Sequence, residues 1–153
     1  MVDMLALTHV NLEEVKPPSE LPDGIYPVII AGWKVGPCRW SEDLGTFTIE
    51  CRPTRFPSGV EGDFDVTKRR VFKEFNVDPR KVDTYFYLTM FAEACGVKWR
   101  GKQPGEFLPE CIGQEVEMFH ARRSYTKKDG TPGEASDVKM VIDGKVITER
   151  RAD

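Results

Sequence analysis

The chain has 153 residues, a formal net charge of −3, 31% charged residues and 40% hydrophobic ones. That length fits one domain with a modest core, the composition excludes general disorder, and no apolar run nears the roughly 18 residues of a membrane span. The start, Met1-Val2-Asp3-Met4-Leu5, lacks the basic residues and long apolar stretch of a secretion signal, so a cytosol is the expected location.

Residues 1–23 contain Pro17-Pro18 and read as a lead-in segment that closes in the turn Leu21-Pro22-Asp23-Gly24. Within it Met4–Leu7 is expected to pack on the folded domain or on a partner. The first strand is predicted over 25–35, apolar on both faces, with Gly32 marking a bend or bulge. Residues 36–43 form a loop carrying Arg39 and Trp40. The second strand, 46–52, alternates cleanly, with Phe47, Ile49 and Cys51 inward. A long acidic loop, 53–67, leads to a third strand over 68–77, where Val71, Lys73, Phe75 and Val77 share one face and Arg70, Phe72, Glu74 and Asn76 the other. Asp78 as N-cap, Pro79 at the first helical position and a stop at Cys95-Gly96 predict one helix over 79–95. Residues 97–113 read as connecting sequence. A fourth strand over 114–125 and a fifth over 135–142 flank a hairpin loop whose turn signal is Asp129-Gly130. Asp143-Gly144 offers a further turn, and residues 148–153 form a polar tail.

Three strands, one helix and two strands are the element order of a mainly β, five-stranded OB-fold barrel with its helix between strands 3 and 4. The barrel is expected over residues 24–147. Such barrels hold oligonucleotides on their central strands and on the loops joining strands 1–2 and 4–5. Charge is distributed accordingly. Residues 1–67 hold 5 Lys/Arg against 11 Asp/Glu, a net of −6, and residues 68–153 hold 17 against 14, a net of +3. Single strands are held by cations along phosphates and aromatic faces under bases. Both types interleave at Arg39-Trp40, at Arg69-Arg70 beside Phe72, and at Arg122-Arg123 beside Tyr125, with Lys127 and Lys128 on the hairpin. These ten residues are the candidate binding set. Phe72 serves equally well as core or as platform; Trp33, in line with Ile25 and Ile29, reads as core, and Trp99 as a plug over the barrel end.

Cys38, Cys51, Cys95 and Cys111 lack close C-x₂-C spacing and read as reduced, buried residues. His9 and His120 read as ordinary surface or strand residues. Asp63 and Asp65 read as solvated loop acids. The phosphate-loop, dinucleotide, zinc-protease and nucleophile-elbow motifs are not found. The expectation is a binding protein, not an enzyme, with no metal and no cofactor.

The stretch Leu21-Pro22-Asp23-Gly24-Ile25-Tyr26-Pro27-Val28-Ile29-Ile30 resembles the "LP-x-G-x-Y-x-V-x-I" opening of bacteriophage single-stranded-DNA-binding proteins. Arg69–Val77 resembles their third strand, and Ala94-Cys95-Gly96-Val97 followed by Ile112-Gly113-Gln114-Glu115-Val116-Glu117 resembles their helix end and the lead into strand four. The resemblance covers roughly residues 20–143. It implies an OB-fold that coats single-stranded DNA in viral replication, recombination or repair, in the cytoplasm of an infected cell, with phage or host replication and recombination proteins as further partners. The end Glu149-Arg150-Arg151-Ala152-Asp153 departs from the acidic partner-recruiting tail of many replication-type binders. The alternative is a phage barrel that binds a host or replication protein. Tyr85, Phe86, Tyr87, Leu88, Met90 and Phe91 surround the predicted helix, so its surplus apolar face is covered either by a second copy in a homodimer or by Met4–Leu7 and the 97–112 segment.

Overall fold

Period-two alternation builds the sheet. In β2 (Gly45–Pro53) Phe47, Ile49 and Cys51 are buried, and in β3 (Val71–Val77) Val71, Lys73, Phe75 and Val77 are buried. With β1 (Gly24–Pro37), β4 (Glu115–Thr126), β5 (Pro132–Ile142) and the two-residue β6 (Lys145–Val146), they form one six-stranded antiparallel sheet in the order β3-β2-β1-β4-β5-β6. The computed structural model describes residues 2–13 and 20–150. The two outer meanders join where Gly24–Ile29 of β1 pairs with His120–Glu115 of β4. A register shift between Ile30 and Gly32 bends β1, as its glycine predicts. The sheet curls into a half-barrel, bringing β3 near β5 without hydrogen-bonding them to each other.

The concave face is filled by Tyr26, Val28, Ile30, Ile49, Met118 and Met140 from the sheet, and by Leu88, Phe91, Phe107 and Leu108 from two helices. Each fully buried side chain of this size contributes about 1.5–3 kcal/mol. The four cysteines are buried and free.

The crossover between β3 and β4 departs from the sequence reading. Asp78 does not cap a helix. Its carboxylate accepts from the Arg80 amide at 2.9 Å and from the Arg80 guanidinium at 3.1 Å, which folds residues 78–81 into a tight turn. The Asp78 amide donates to Thr84 Oγ1 at 2.8 Å. A 3₁₀ turn, Val82–Tyr85, follows, and α2 spans Phe86–Ala94 only. A second helix, α3 (Pro104–Cys111), occupies the stretch read as connecting sequence. Pro104 starts it, and the Glu106 carboxylate reaches back to accept from the Gln103 amide at 3.2 Å. Those two signals outweigh Gly105 and Pro109, which suggested a loop.

α3, Val97 and Trp99 cover much of the surplus apolar face of α2, and Tyr85, Tyr87 and Met90 pack against the core. Phe86 stays 57% exposed. The N-terminal helix, here α1 (Met4–Thr8), buries none of its own residues. Pro17 and Pro18 of the lead-in, and Arg151, Ala152 and Asp153 of the tail, lie outside the described residues. The rest of the tail is anchored. The Ile147 amide donates to the Met140 carbonyl at 2.8 Å, the Glu149 carboxylate meets the Lys73 ammonium at 2.8 Å, and the Arg150 amide donates to the Tyr87 hydroxyl at 3.0 Å.

Candidate nucleic-acid interface

The ten candidate residues fall in three places. Arg69, Arg70, Phe72 and Arg122 line a groove of about 470 Å³ between the free edge of β3 and the β4–β5 ribbon. Arg39 and Trp40 line a second groove of about 300 Å³, formed by the loop after β1 and the outer face of β1, β2 and β3. Arg123, Tyr125, Lys127 and Lys128 sit on the β4–β5 hairpin. Alternation along β4 puts Arg122 on the face of His120 and puts Arg123 with Tyr125 on the other, so the arginine pair is split between two surfaces.

Aromatic exposure separates platforms from core. Trp40 is 78%, Phe72 47% and Tyr125 43% exposed, so Phe72 is not core. Trp33 packs against the core, with its ring 6.3 Å from that of Phe47. Trp99 is half-buried and its indole N–H donates to Glu93 at 2.9 Å. Arg69 and Arg70 precede β3 instead of lying in it, because Val66–Lys68 forms a 3₁₀ turn capped by Asp65. The long loop before that turn is itself packed. Phe56 and Phe64 meet edge-on at 5.2 Å over Gly62, whose hydrogen leaves room that a Cβ 2.4 Å from the Phe56 ring would not. The Arg69 guanidinium lies 4.2 Å over the Phe64 ring, which fixes a groove cation through a loop phenylalanine.

Carboxylates neutralise most of the arginines. Arg39 pairs with Glu74 at 3.4 Å, Arg70 with Glu50 at 2.9 Å and Arg123 with Asp137 at 2.8 Å, while Arg122 sits between Glu20 and Glu134. Exposed pairs of this kind contribute about 0–1 kcal/mol each, so a phosphate can replace the carboxylate at little expense. Lys127 and Lys128 are exposed and make no ion pair among the described residues.

Of the two roles expected of His120, surface or strand, it has the second: it lies on β4 and is buried. It lines the larger groove, its Nε2 lies 3.2 Å from Ser136 Oγ, its ring meets Tyr26 edge-on at 6.3 Å, and its Nδ1 has no hydrogen-bond partner among the described residues. Burial pushes the Tyr26 phenol up to about 12, with Asp23 adding to the effect, so it stays a donor, to the Pro22 carbonyl. Glu74, Ser136, Lys34 and Thr48 also line the grooves and were not singled out from sequence. The alternation of β3 does carry Glu74, two residues after Phe72, to the same face. Among the described residues no group of three or more His, Cys, Asp or Glu is placed to hold a metal ion.

No protein-family model matches the sequence, and no curated protein matches it.

Proposed function

We propose that this chain binds single-stranded DNA with little sequence preference, stacking bases on Trp40, Phe72 and Tyr125 and holding phosphates with the neighbouring arginines and lysines. The observation that carries the reading is the pair of grooves walled jointly by Glu74, each with an exposed aromatic ring beside arginine. Exposed aromatic rings beside cations suit an unpaired strand, whose base faces are open, and not a duplex. The strand order, with β1 between two antiparallel meanders and β3 approaching β5, supports an OB-type barrel. The resemblance to phage single-strand binders supports a role in viral replication, recombination or repair.

Fluorescence anisotropy with a labelled 20-mer tests this. The single strand should bind more tightly than its duplex, and affinity should fall with salt. Trp40→Ala should weaken binding by roughly 5- to 150-fold, since one stacked base contributes about 1–3 kcal/mol, with an unchanged melting temperature. Equal affinity for duplex and single strand would refute the reading. A second reading, a barrel that docks a protein, is favoured by the N-terminal arm, where Val2, Met4, Leu5, Leu7, Val10 and Leu12 are all more than 60% exposed. A stoichiometric protein partner together with no affinity for any oligonucleotide would select it.

A further inference from the structure

Glu74 places a negative charge in the middle of a surface otherwise suited to phosphate. It follows Phe72 by two residues on β3 and so shares its outer face, while Glu50 lies directly across from Phe72 on β2. Its side chain is 40% exposed and walls both grooves. Arg39 engages one carboxylate oxygen, Oε1, at 3.4 Å; Oε2 makes no hydrogen bond or ion pair among the described residues. Two residues along a strand span about 6.6 Å, so a base lying on the Phe72 ring brings its edge within reach of a glutamate side chain.

We propose that Glu74 reads the exocyclic amino group of the base stacked on Phe72, so that the groove favours amino-bearing bases, cytosine foremost, over uracil and thymine. The proposal rests on the single-strand reading above and refines it. An ionised carboxylate only accepts hydrogen bonds. Cytosine offers an N4 amino donor at the position where uracil and thymine offer an O4 acceptor, and an acceptor facing a carboxylate is repelled. Arg39 holds the carboxylate through one oxygen and leaves the other for the base. The bland alternative is that Glu74 only tethers Arg39, in which case it acts on every strand alike.

Deoxycytidine and deoxyuridine 12-mers differ in the pyrimidine edge and little in stacking, so anisotropy on the two isolates this contact. The wild-type protein should bind the cytosine strand at least fivefold more tightly. Glu74→Gln, whose amide donates as well as accepts, should bring the two within twofold while the melting temperature stays put. Equal wild-type affinities, or a Glu74→Gln change that shifts both strands by the same factor, would overturn base reading and leave single-strand binding standing. Failure to bind either strand would bring down both.

Discussion

Lys73 occupies an inward position of β3 between Val71 and Phe75, where a lysine is tolerated only with partners. Its ammonium lies 2.8 Å from Glu149, 3.0 Å from the Glu74 carbonyl and 4.6 Å from the centre of the Phe75 ring. Removing one member of a buried pair leaves the other charge uncompensated, at about 3–5 kcal/mol. Lys73→Ala should therefore lower stability by about 3 kcal/mol in urea unfolding, and Lys73→Met with Glu149→Leu should recover much of it. Equal destabilisation by single and double variants would show that the pair is not what holds residues 147–150 against the sheet. Asp78 makes a pH-dependent contribution. Hydrogen bonds from the Arg80 side chain and then the Arg80 amide hold its carboxyl below the ordinary aspartate range. A depressed folded value means the unfolded chain binds more protons at acid pH, so this stabilisation is complete above about pH 4 and is lost as pH falls through the folded value. Asp78→Asn should thus flatten the acid limb of a melting-temperature profile.

Among the elements, the β4–β5 hairpin depends on a glycine. Tyr125 lies across Gly133, where a Cβ would fall 2.7 Å from the tyrosine Cζ and 3.0 Å from the Lys127 Cε. Both are far ends of side chains, so Gly133→Ala should swing the ring aside with little loss of stability. Binding should weaken about as much as in Tyr125→Ala; full affinity in Gly133→Ala would remove Tyr125 from the platform set. The strands were legible because a half-buried strand writes its two faces into alternate residues, as Phe47, Ile49 and Cys51 do, and the bulge because Gly32 breaks that pattern. The crossover was harder to read. Asp78-Pro79 carries the same signature for a capped helix and for an Asx turn, and the choice was made by Arg80 and Thr84, whose side chains bond back to Asp78. α3 hid behind two prolines and a glycine although Gln103 and Glu106 marked its start. Of the candidate site, residue type and exposure were legible at Trp40, whereas at Phe72 the sequence left core and platform equally open and only its exposure decides. The ion pairs were not, because the partners of Arg39, Arg70 and Arg122 come from other strands or from the lead-in.

At the scale of the whole molecule, the acidic first half and basic second half do not remain apart. The sheet order lays β1 and β2 between β3 and the β4–β5 ribbon, and Glu20 and Glu50 of the first half reach arginines of the second. The surface is thus a mosaic of paired charges, not a basic stripe, and this changes how binding should respond to salt. An unpaired cation that takes a phosphate displaces the strand's counterions, with a slope of about −0.7 in log affinity against log salt for each phosphate neutralised on a single strand. Seven site cations all acting this way would give about −5 by the same relation. Arg39, Arg70, Arg122 and Arg123 already hold carboxylates, and exchanging a carboxylate for a phosphate frees an anionic side chain that collects cations of its own. Lys127 and Lys128, which make no ion pair among the described residues, contribute in full, so the slope should fall well short of about −5. The joint Lys127→Ala and Lys128→Ala variant should flatten it by about 1.4, whereas Arg70→Ala should reduce affinity and hardly move the slope. A wild-type slope near −5, or a large change of slope in Arg70→Ala, would mean that the carboxylates leave these arginines before the strand arrives.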